Sequence, residues 1–111
     1  MSDEPRDQRL GKAMERELSM ILGSASDPRL QDIPITGVEA RQQGKHCRVF
    51  FGPPHGSPEE HADIEGPDQV RELLEKARGY VRSELASSLN LKMMPDLSFK
   101  PDPVRWAAWK K

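Results

Sequence analysis

The sequence predicts an α+β domain, because apolar residues recur with helical spacing in two stretches and alternate with polar residues in others. The predicted order is helix, strand, strand, long helix and strand. At 111 residues, the chain has the length of one ordinary domain.

The first predicted element is an amphipathic helix. Its apolar residues lie three and four positions apart, with charged residues between them: Leu10, Ala13, Met14, Leu18, Ile21 and Leu22. Gly23 suits the left-handed conformation that often follows a helix end. Asp27 precedes a proline, which favours a turn there.

Two short strands joined by a hairpin follow. The first lies between Ile33 and Ala40, and its alternation shifts by one at Gly37, which predicts a bulge. The run 46–51 alternates cleanly and places three side chains on one face: Cys47, Val49 and Phe51. Residues 42–45 are short enough to close the hairpin.

Helical spacing resumes after a long loop, residues 52–66, that is rich in proline and glycine. Pro67 suits the first turn of the second helix, and Asn90 is a plausible end. The run 97–99 lies between Pro95 and Pro101, so we expect a short strand at or near an edge of the sheet.

Gly79 lies inside the second helical stretch, where a glycine costs about 1 kcal/mol relative to alanine. One interpretation is that another element packs closely against it. The other is a break that starts a new helix with free backbone N–H groups, which form a natural phosphate site. Lys76, Arg78 and Arg82 lie within one turn of that break.

The charge is unevenly distributed although the net charge is only −1. Residues 1–75 carry a net charge of −6, and residues 76–111 carry +5. This excess of cations favours a nucleic-acid partner without establishing one, because basic clusters also occur on ordinary surfaces. No stretch is long and apolar enough to span a bilayer, and no signal peptide is evident, so we expect a cytoplasmic protein.

Candidate catalytic and metal-binding residues are few. Cys47 lies beside His46, but neighbours on a strand point to opposite faces, so we expect a buried, unreactive cysteine. The long loop offers His55, Glu59, Glu60 and His61, but no second motif completes a metal site. We therefore expect no enzyme activity, no cofactor and no metal.

The residues near the end of the chain leave two interpretations open. Trp106 and Trp109, three positions apart, could share a helical face and dock on the domain, or they could stack on unpaired bases. Docking is favoured, because exposed indoles are a solubility liability. Met93 and Met94 are expected to fill gaps in the core or at a sheet edge, in preference to forming a surface for a partner.

Five segments of the sequence, in order, resemble the ribosome-binding factor A family. They are residues 16–18 and 21–22 with 27–30, then 35–39, 47–51, 76–85 and 94–99. The resemblance covers nearly the whole chain. Departures from the family pattern are Gln43-Gly44 in the hairpin turn, Cys47 where a small alanine is common, and a less basic composition.

The resemblance implies a type II KH-like fold with the order α-β-β-α(kink)α-β, and a three-stranded sheet with helices packed on one face. Residues 1–101 would form this KH-like RNA-binding domain, and residues 102–111 a basic C-terminal tail. KH domains clamp nucleotides with a Gly-x-x-Gly loop. In this family an Ala-x-Gly kink replaces it, matched by Ala77, Arg78 and Gly79.

The resemblance further implies a monomeric, non-enzymatic assembly factor that binds the immature small (30S) ribosomal subunit and assists late maturation of 16S rRNA. Two alternatives remain open. One is a protein–protein adaptor without RNA contact that uses the acidic first segment as its contact surface, and the other is a small hydrolase or nuclease that uses the histidine-bearing loop. The first candidate RNA-binding group is Lys76, Arg78, Gly79, Arg82 and Lys92. A second, weaker group lies on the hairpin: Arg41, Lys45 and Arg48.

Overall fold

The computed structural model describes residues 4–56 and 58–109. The helices are α1 (Glu4–Gly23), α2 (Pro28–Gln31), α3 (Pro67–Lys76), α4 (Arg78–Ser88) and α5 (Pro103–Ala107), and the strands are β1 (Ile35–Arg41), β2 (His46–Phe51) and β3 (Asp96–Pro101). Short 3-10 turns span Gln42–Gly44 and Pro58–His61. None of the helices described is long and apolar enough to cross a membrane.

The three strands form one sheet in the order β1-β2-β3. β1 pairs with β2 antiparallel, and β2 pairs with β3 parallel. The register of β1 shifts between Ile35 and Gly37, which confirms the predicted bulge. β3 lies at an edge of the sheet, as its flanking prolines predict.

The helices cover one face of the sheet and leave the other open. The residues of β2 and β3 that face the helices are almost fully buried: Cys47, Val49, Phe51, Leu97 and Phe99. They pack with the apolar stripe of α1 and with α3 and α4 in one core. The predicted α+β architecture, with helices on one face, is confirmed.

α1 approaches β1 closely at Gly11. A Cβ at Gly11 would lie 2.6 Å from the carbonyl oxygen of Val38, so only a glycine fits between the two backbones. This contact fixes the height of α1 above the edge of the sheet.

The sequence predicts how the two long helical stretches end, correctly at Asn90 and incorrectly at Gly23. Asn90 is left-handed (φ 53°), and the N–H groups of Asn90 and Leu91 donate to the carbonyls of Ser87 and Ala86, so the predicted stop of the second helix is confirmed. The prediction for Gly23 is wrong. Gly23 is the last residue of α1 and has no positive φ.

α5 docks on the domain through Trp106. The indole N–H donates to the carbonyl oxygen of Phe51 at 3.2 Å, and the Trp106 ring meets the Phe51 ring edge-on with centroids 6.2 Å apart. Trp109 packs on Trp106 at 5.2 Å. The docked interpretation of the two tryptophans is confirmed, although residues 110 and 111 of the predicted tail lie outside the described residues.

The expectation for the two methionines before β3 is wrong. Met93 is 61% exposed and Met94 is 43% exposed. Pro95, which follows them, is the residue that enters the core.

Candidate functional site

The long second helix is broken at Ala77. This residue has φ −92° and ψ 2°, ends α3 and begins α4. Its N–H donates back to Leu73 and Leu74 of α3, while its carbonyl accepts the first bond of α4 from Val81. The two helices therefore meet at one residue, and the break lies two positions before Gly79.

The start of α4 is open. No side chain caps it, and the first N–H groups of a helix have no acceptor within that helix. A Cβ at Gly79 would meet no atom within 4 Å, so the close-packing interpretation of this glycine is wrong. The first N–H groups of α4, at the positive end of its dipole, therefore lie beside open space at Gly79, an arrangement suited to an anion.

Arg78 points back to the sheet rather than outward. Its Nη1 donates to the carbonyl oxygen of Leu97 at 2.6 Å, and its Nε and Nη2 donate to a Glu75 carboxylate oxygen at 2.9 and 2.6 Å. The guanidinium also lies over the Phe99 ring, 5.7 Å from its centroid. Its charge is paired, so Arg78 anchors α4 to β3 and is a poor candidate for a phosphate contact.

Arg82 lies one turn further along α4 and contacts the segment before β3. Its Nε donates to the carbonyl oxygen of Pro95 at 2.7 Å, and no carboxylate among the described residues pairs with it. The N–H of Asp96 donates to the carbonyl oxygen of Lys45 at 2.8 Å. Arg82 and the hairpin residue Lys45 are thereby brought to the same end of the sheet, although they are far apart in the sequence.

Lys76 and Lys92 are both exposed. Lys76 is the last residue of α3, and Lys92 lies in the turn that leads to β3. Neither forms an ion pair with a described residue. Tyr80, at the third position of α4, is 47% exposed, and the sequence analysis did not single it out.

The other hairpin candidates lie elsewhere. Arg41 and Arg48 occupy the open face of the sheet, where Arg48 contacts Glu39 at 3.3 Å. Beside them, His46 lies 3.6 Å from Asp96, and a shallow cleft of about 260 Å³ runs between these side chains. This face alternates cations and acids, so it attracts a polyanion less than the start of α4 does.

Cys47 is buried in the core, with its Sγ 3.3 Å from the Met14 sulfur. Burial raises the pKa of its thiol to about 11, and the nearby Asp7 and Asp96 add to that effect. Because the thiolate is the nucleophile, the group is inert at neutral pH. His46 is exposed on the opposite face, so the two side chains do not meet.

His61 ties the long loop to the end of α2. Its Nε2 lies 2.6 Å from the carbonyl oxygen of His55 and 3.3 Å from Asp32 Oδ2. Asp32, Glu60 and His61 place potential ligand atoms within 4.8 Å of one another. An Nε2 that donates a proton to the His55 carbonyl has no lone pair for a metal. This geometry is that of a structural hydrogen bond that holds the loop in place.

A family model described as Ribosome-binding factor A matches residues 6–107. The chain belongs to the ribosome-binding factor A family. A member of this family from Azotobacter vinelandii is 36% identical over 101 residues, which cover 90% of this chain and 75% of the relative. One from Coprothermobacter proteolyticus is 35% identical over 98 residues, which cover 87% of this chain and 66% of the relative.

Solved structures of ribosome-binding factor A share the fold. The crystal structure from Thermus thermophilus covers 92% of this chain and 98% of its own at 20% identity, with a TM-score of 0.66. A Thermotoga maritima structure determined by NMR covers 90% of each chain at 25% identity, with a TM-score of 0.65. A Thermus thermophilus homology model, fitted into a cryo-EM map of a 30S complex, covers 94% of this chain and 99% of its own at 20% identity, with a TM-score of 0.60.

Proposed function

We propose that this protein binds the immature small (30S) ribosomal subunit in the cytoplasm and assists late maturation of 16S rRNA. It acts as a monomer and without catalysis. Membership of the ribosome-binding factor A family supports this proposal, as does the Thermus thermophilus relative fitted into a 30S complex.

The observation that carries the proposal is the open start of α4. No side chain caps this helix start, and the Cβ position of Gly79 meets open space. Lys76 and Arg82 lie within three positions of Gly79 in the sequence, and Lys92 follows the end of α4; none of the three forms an ion pair with a described residue. Main-chain donors at a helix start bind phosphate oxygens without reading a base. The surface is therefore suited to the backbone of folded rRNA.

The cations have separate roles in this scheme. Arg78 positions α4 by holding it to β3 and keeps its donors at a fixed angle to the sheet. Lys76, Arg82 and Lys92 supply unpaired charge, and Lys45 extends the surface at the hairpin. Arg41 and Arg48, on the open face of the sheet, are peripheral.

Binding energy alone accounts for the proposed assistance. A factor that binds one rRNA arrangement more tightly than another shifts the population toward it by the difference in affinity. A differential of about 1.4 kcal/mol changes the ratio of two arrangements tenfold. No bond needs to be made or broken.

The test is co-sedimentation with immature and mature 30S subunits across a salt series. We expect tighter binding to the immature subunit and an affinity that falls steeply with salt, because phosphate contacts release counterions. The double variant Lys76→Glu/Lys92→Glu alters two exposed residues without a described ion pair, so it should fold normally, bind at least tenfold more weakly and show a shallower salt dependence.

The matched control is Arg29→Glu, a charge reversal on α2, which packs beyond the opposite end of the sheet. Arg29 makes only exposed ion pairs, to Asp27 and Asp63. We expect it to bind like the wild type. Salt-independent binding, or equal binding by the double variant and the control, would reject the proposed surface.

A further inference from the structure

An open groove of about 780 Å³ runs between α1 and β1, at the edge of the sheet opposite β3. Its apolar lining includes Ala13 on α1, Val38 on β1 and the ring of Phe50. A Cβ at Gly37 would lie 4.0 Å from the Phe50 ring, so this ring packs over the glycine. A groove of this size suits a short segment of chain or a small ligand.

Three cations follow the α1 side of the groove at Arg9, Lys12 and Arg16. Spacings of three and four residues put them on one helix face, spread over about 10 Å at 1.5 Å per residue. All three are exposed, and none forms an ion pair with a described side chain. In contrast, several other arginines are paired with carboxylates: Arg29, Arg48, Arg71 and Arg78.

We infer that this groove binds an extended protein segment in which acidic residues alternate with apolar ones. Alternate residues of an extended chain lie about 6.6 Å apart on one side, so two or three carboxylates match the spread of the cations. The intervening side chains then face the apolar lining. This arrangement combines charge complementarity with apolar burial, and each of the two alone would be weak.

The groove is less suited to RNA. Glu15 and Glu39 also line it, so its walls carry two carboxylates beside the three cations. A nucleic-acid strand carries a charge at every phosphate and meets these carboxylates at some point along the groove. A peptide needs carboxylates only where the cations lie.

The groove is separate from the start of α4. β1 and β3 are the two edges of the sheet with β2 between them, so the two surfaces lie about 10 Å or more apart. The protein is thereby able to hold a protein segment on one edge while the other edge contacts the subunit. The inference does not depend on the RNA surface.

Fluorescence anisotropy with four labelled probes of eight units tests the inference. The first is a peptide of alternating glutamate and leucine, which we expect to bind. The second replaces glutamate with lysine, and the third replaces leucine with serine; both should bind at least tenfold more weakly. The fourth is octauridylate, and we expect the groove not to bind it.

On the protein side, the triple variant Arg9→Gln/Lys12→Gln/Arg16→Gln should bind the first probe about tenfold more weakly. Arg16→Gln alone should weaken it by a factor of about two to three. Arg71→Gln removes one charge from α3, outside the groove, and should change nothing. Unaltered tryptophan emission and unfolding midpoints verify the fold of each variant.

Three outcomes would overturn the inference. Binding of the first probe to the triple variant at wild-type affinity would place the peptide elsewhere, and equal binding of the lysine probe would remove the charge argument. Octauridylate binding that the triple variant abolishes would make the groove an RNA site.

A further result would support the inference. Loss of subunit binding by Lys76→Glu/Lys92→Glu with unchanged peptide binding would show that the two surfaces are independent.

Discussion

The guanidinium of Arg78 donates a hydrogen bond to the carbonyl oxygen of Leu97 at 2.6 Å, which joins the first residue of α4 to β3. The Arg78 side chain is only 32% exposed and also pairs with Glu75. Arg78→Ala would leave the Leu97 carbonyl without this donor. We therefore expect it to lower the free energy of unfolding by about 2 kcal/mol, within the range for bonds to charged groups, as measured by urea denaturation.

The control for this substitution is Arg71→Ala on α3. Arg71 makes an exposed pair with Asp68 at 3.4 Å, and such surface pairs contribute at most about 1 kcal/mol. Equal stability losses in the two variants would show that Arg78 is an ordinary surface residue. That result would restore it as a candidate phosphate contact.

Gly79→Ala should separate stability from function. Gly79 is the second residue of α4 and has space for a Cβ, so alanine, the better helix former, should stabilise the protein by up to about 1 kcal/mol. The same methyl group would stand beside the first N–H groups of α4 and should weaken 30S binding several-fold. Thermal unfolding and co-sedimentation measure the two effects. A variant that is more stable and binds normally would show that phosphate does not approach at Gly79.

Gly44→Ala should have the opposite effect on stability. Gly44 ends the hairpin turn with φ +91°, and a Cβ there would lie 2.8 Å from Leu10 Cδ2 and 3.2 Å from Met14 Cε. The left-handed backbone and the overpacking together should cost about 2–3 kcal/mol. Gly23→Ala is the control, because Gly23 has no positive φ and no atom near its Cβ position. Denaturant unfolding in which the two alanine variants are equally stable would contradict the steric argument.

The sequence predicts the order of the main helices and strands because periodicity and turn residues are local signals. The break near Gly79 is one of two interpretations of that residue, and only the family resemblance implies the kink. Asp102 before Pro103 is a local signal too, since an N-cap acid followed by proline favours a helix start, and it marks the start of α5, where the sequence-based prediction rests only on the spacing of the two tryptophans. The role of the Arg78 side chain could not be predicted from local signals. Its direction depends on the Leu97 carbonyl, 19 residues further along the chain.

The groove between α1 and β1 is a second feature that depends on contacts between residues far apart in the sequence. Arg9, Lys12 and Arg16 form a row that can be read from their spacing, but any exposed helix face can carry such a row. Only the packing of α1 on β1 shows that this row borders an apolar groove. Tertiary contacts therefore decide which exposed cations border a groove and which lie on an open surface.

Acid should undock α5. The Asp102 carboxylate accepts from the N–H of Val104 at 3.0 Å and of Arg105 at 3.4 Å. The Thr36 hydroxyl contributes most to the lowering of the Asp102 pKa below its usual 3.8, and these N–H groups add to it. The Thr36 hydroxyl forms no hydrogen bond with a described residue. The N–H groups of Val104 and Arg105 are therefore the groups that hydrogen-bond to the Asp102 carboxylate.

Because the pKa of Asp102 is lower in the folded protein, its ionised form stabilises the fold above the unfolded pKa, and this contribution is lost as the pH falls through the folded pKa. Both tryptophans of the chain lie in or next to α5, so their emission reports its docking. We expect a shift toward exposed tryptophan emission below about pH 4. Asp102→Asn keeps an N-cap side chain but cannot titrate, so its emission should be less dependent on pH in this range. Identical titrations of the two proteins would exclude Asp102 as the cause.

Alkali should weaken the fold through Cys47. The pKa of the buried thiol is raised from 9.0 to about 11, so the unfolded chain loses this proton first as the pH rises. Stability should therefore decrease between about pH 9 and pH 11. Cys47→Ala removes the titrating group while keeping a small apolar side chain, so its unfolding free energy should decrease less from pH 7.5 to pH 10. Lysine and tyrosine titrations occur in both proteins and cancel in the comparison. Urea unfolding at the two pH values measures the difference, and an equal decrease in both proteins would mean that the thiol ionises as easily in the core as in water.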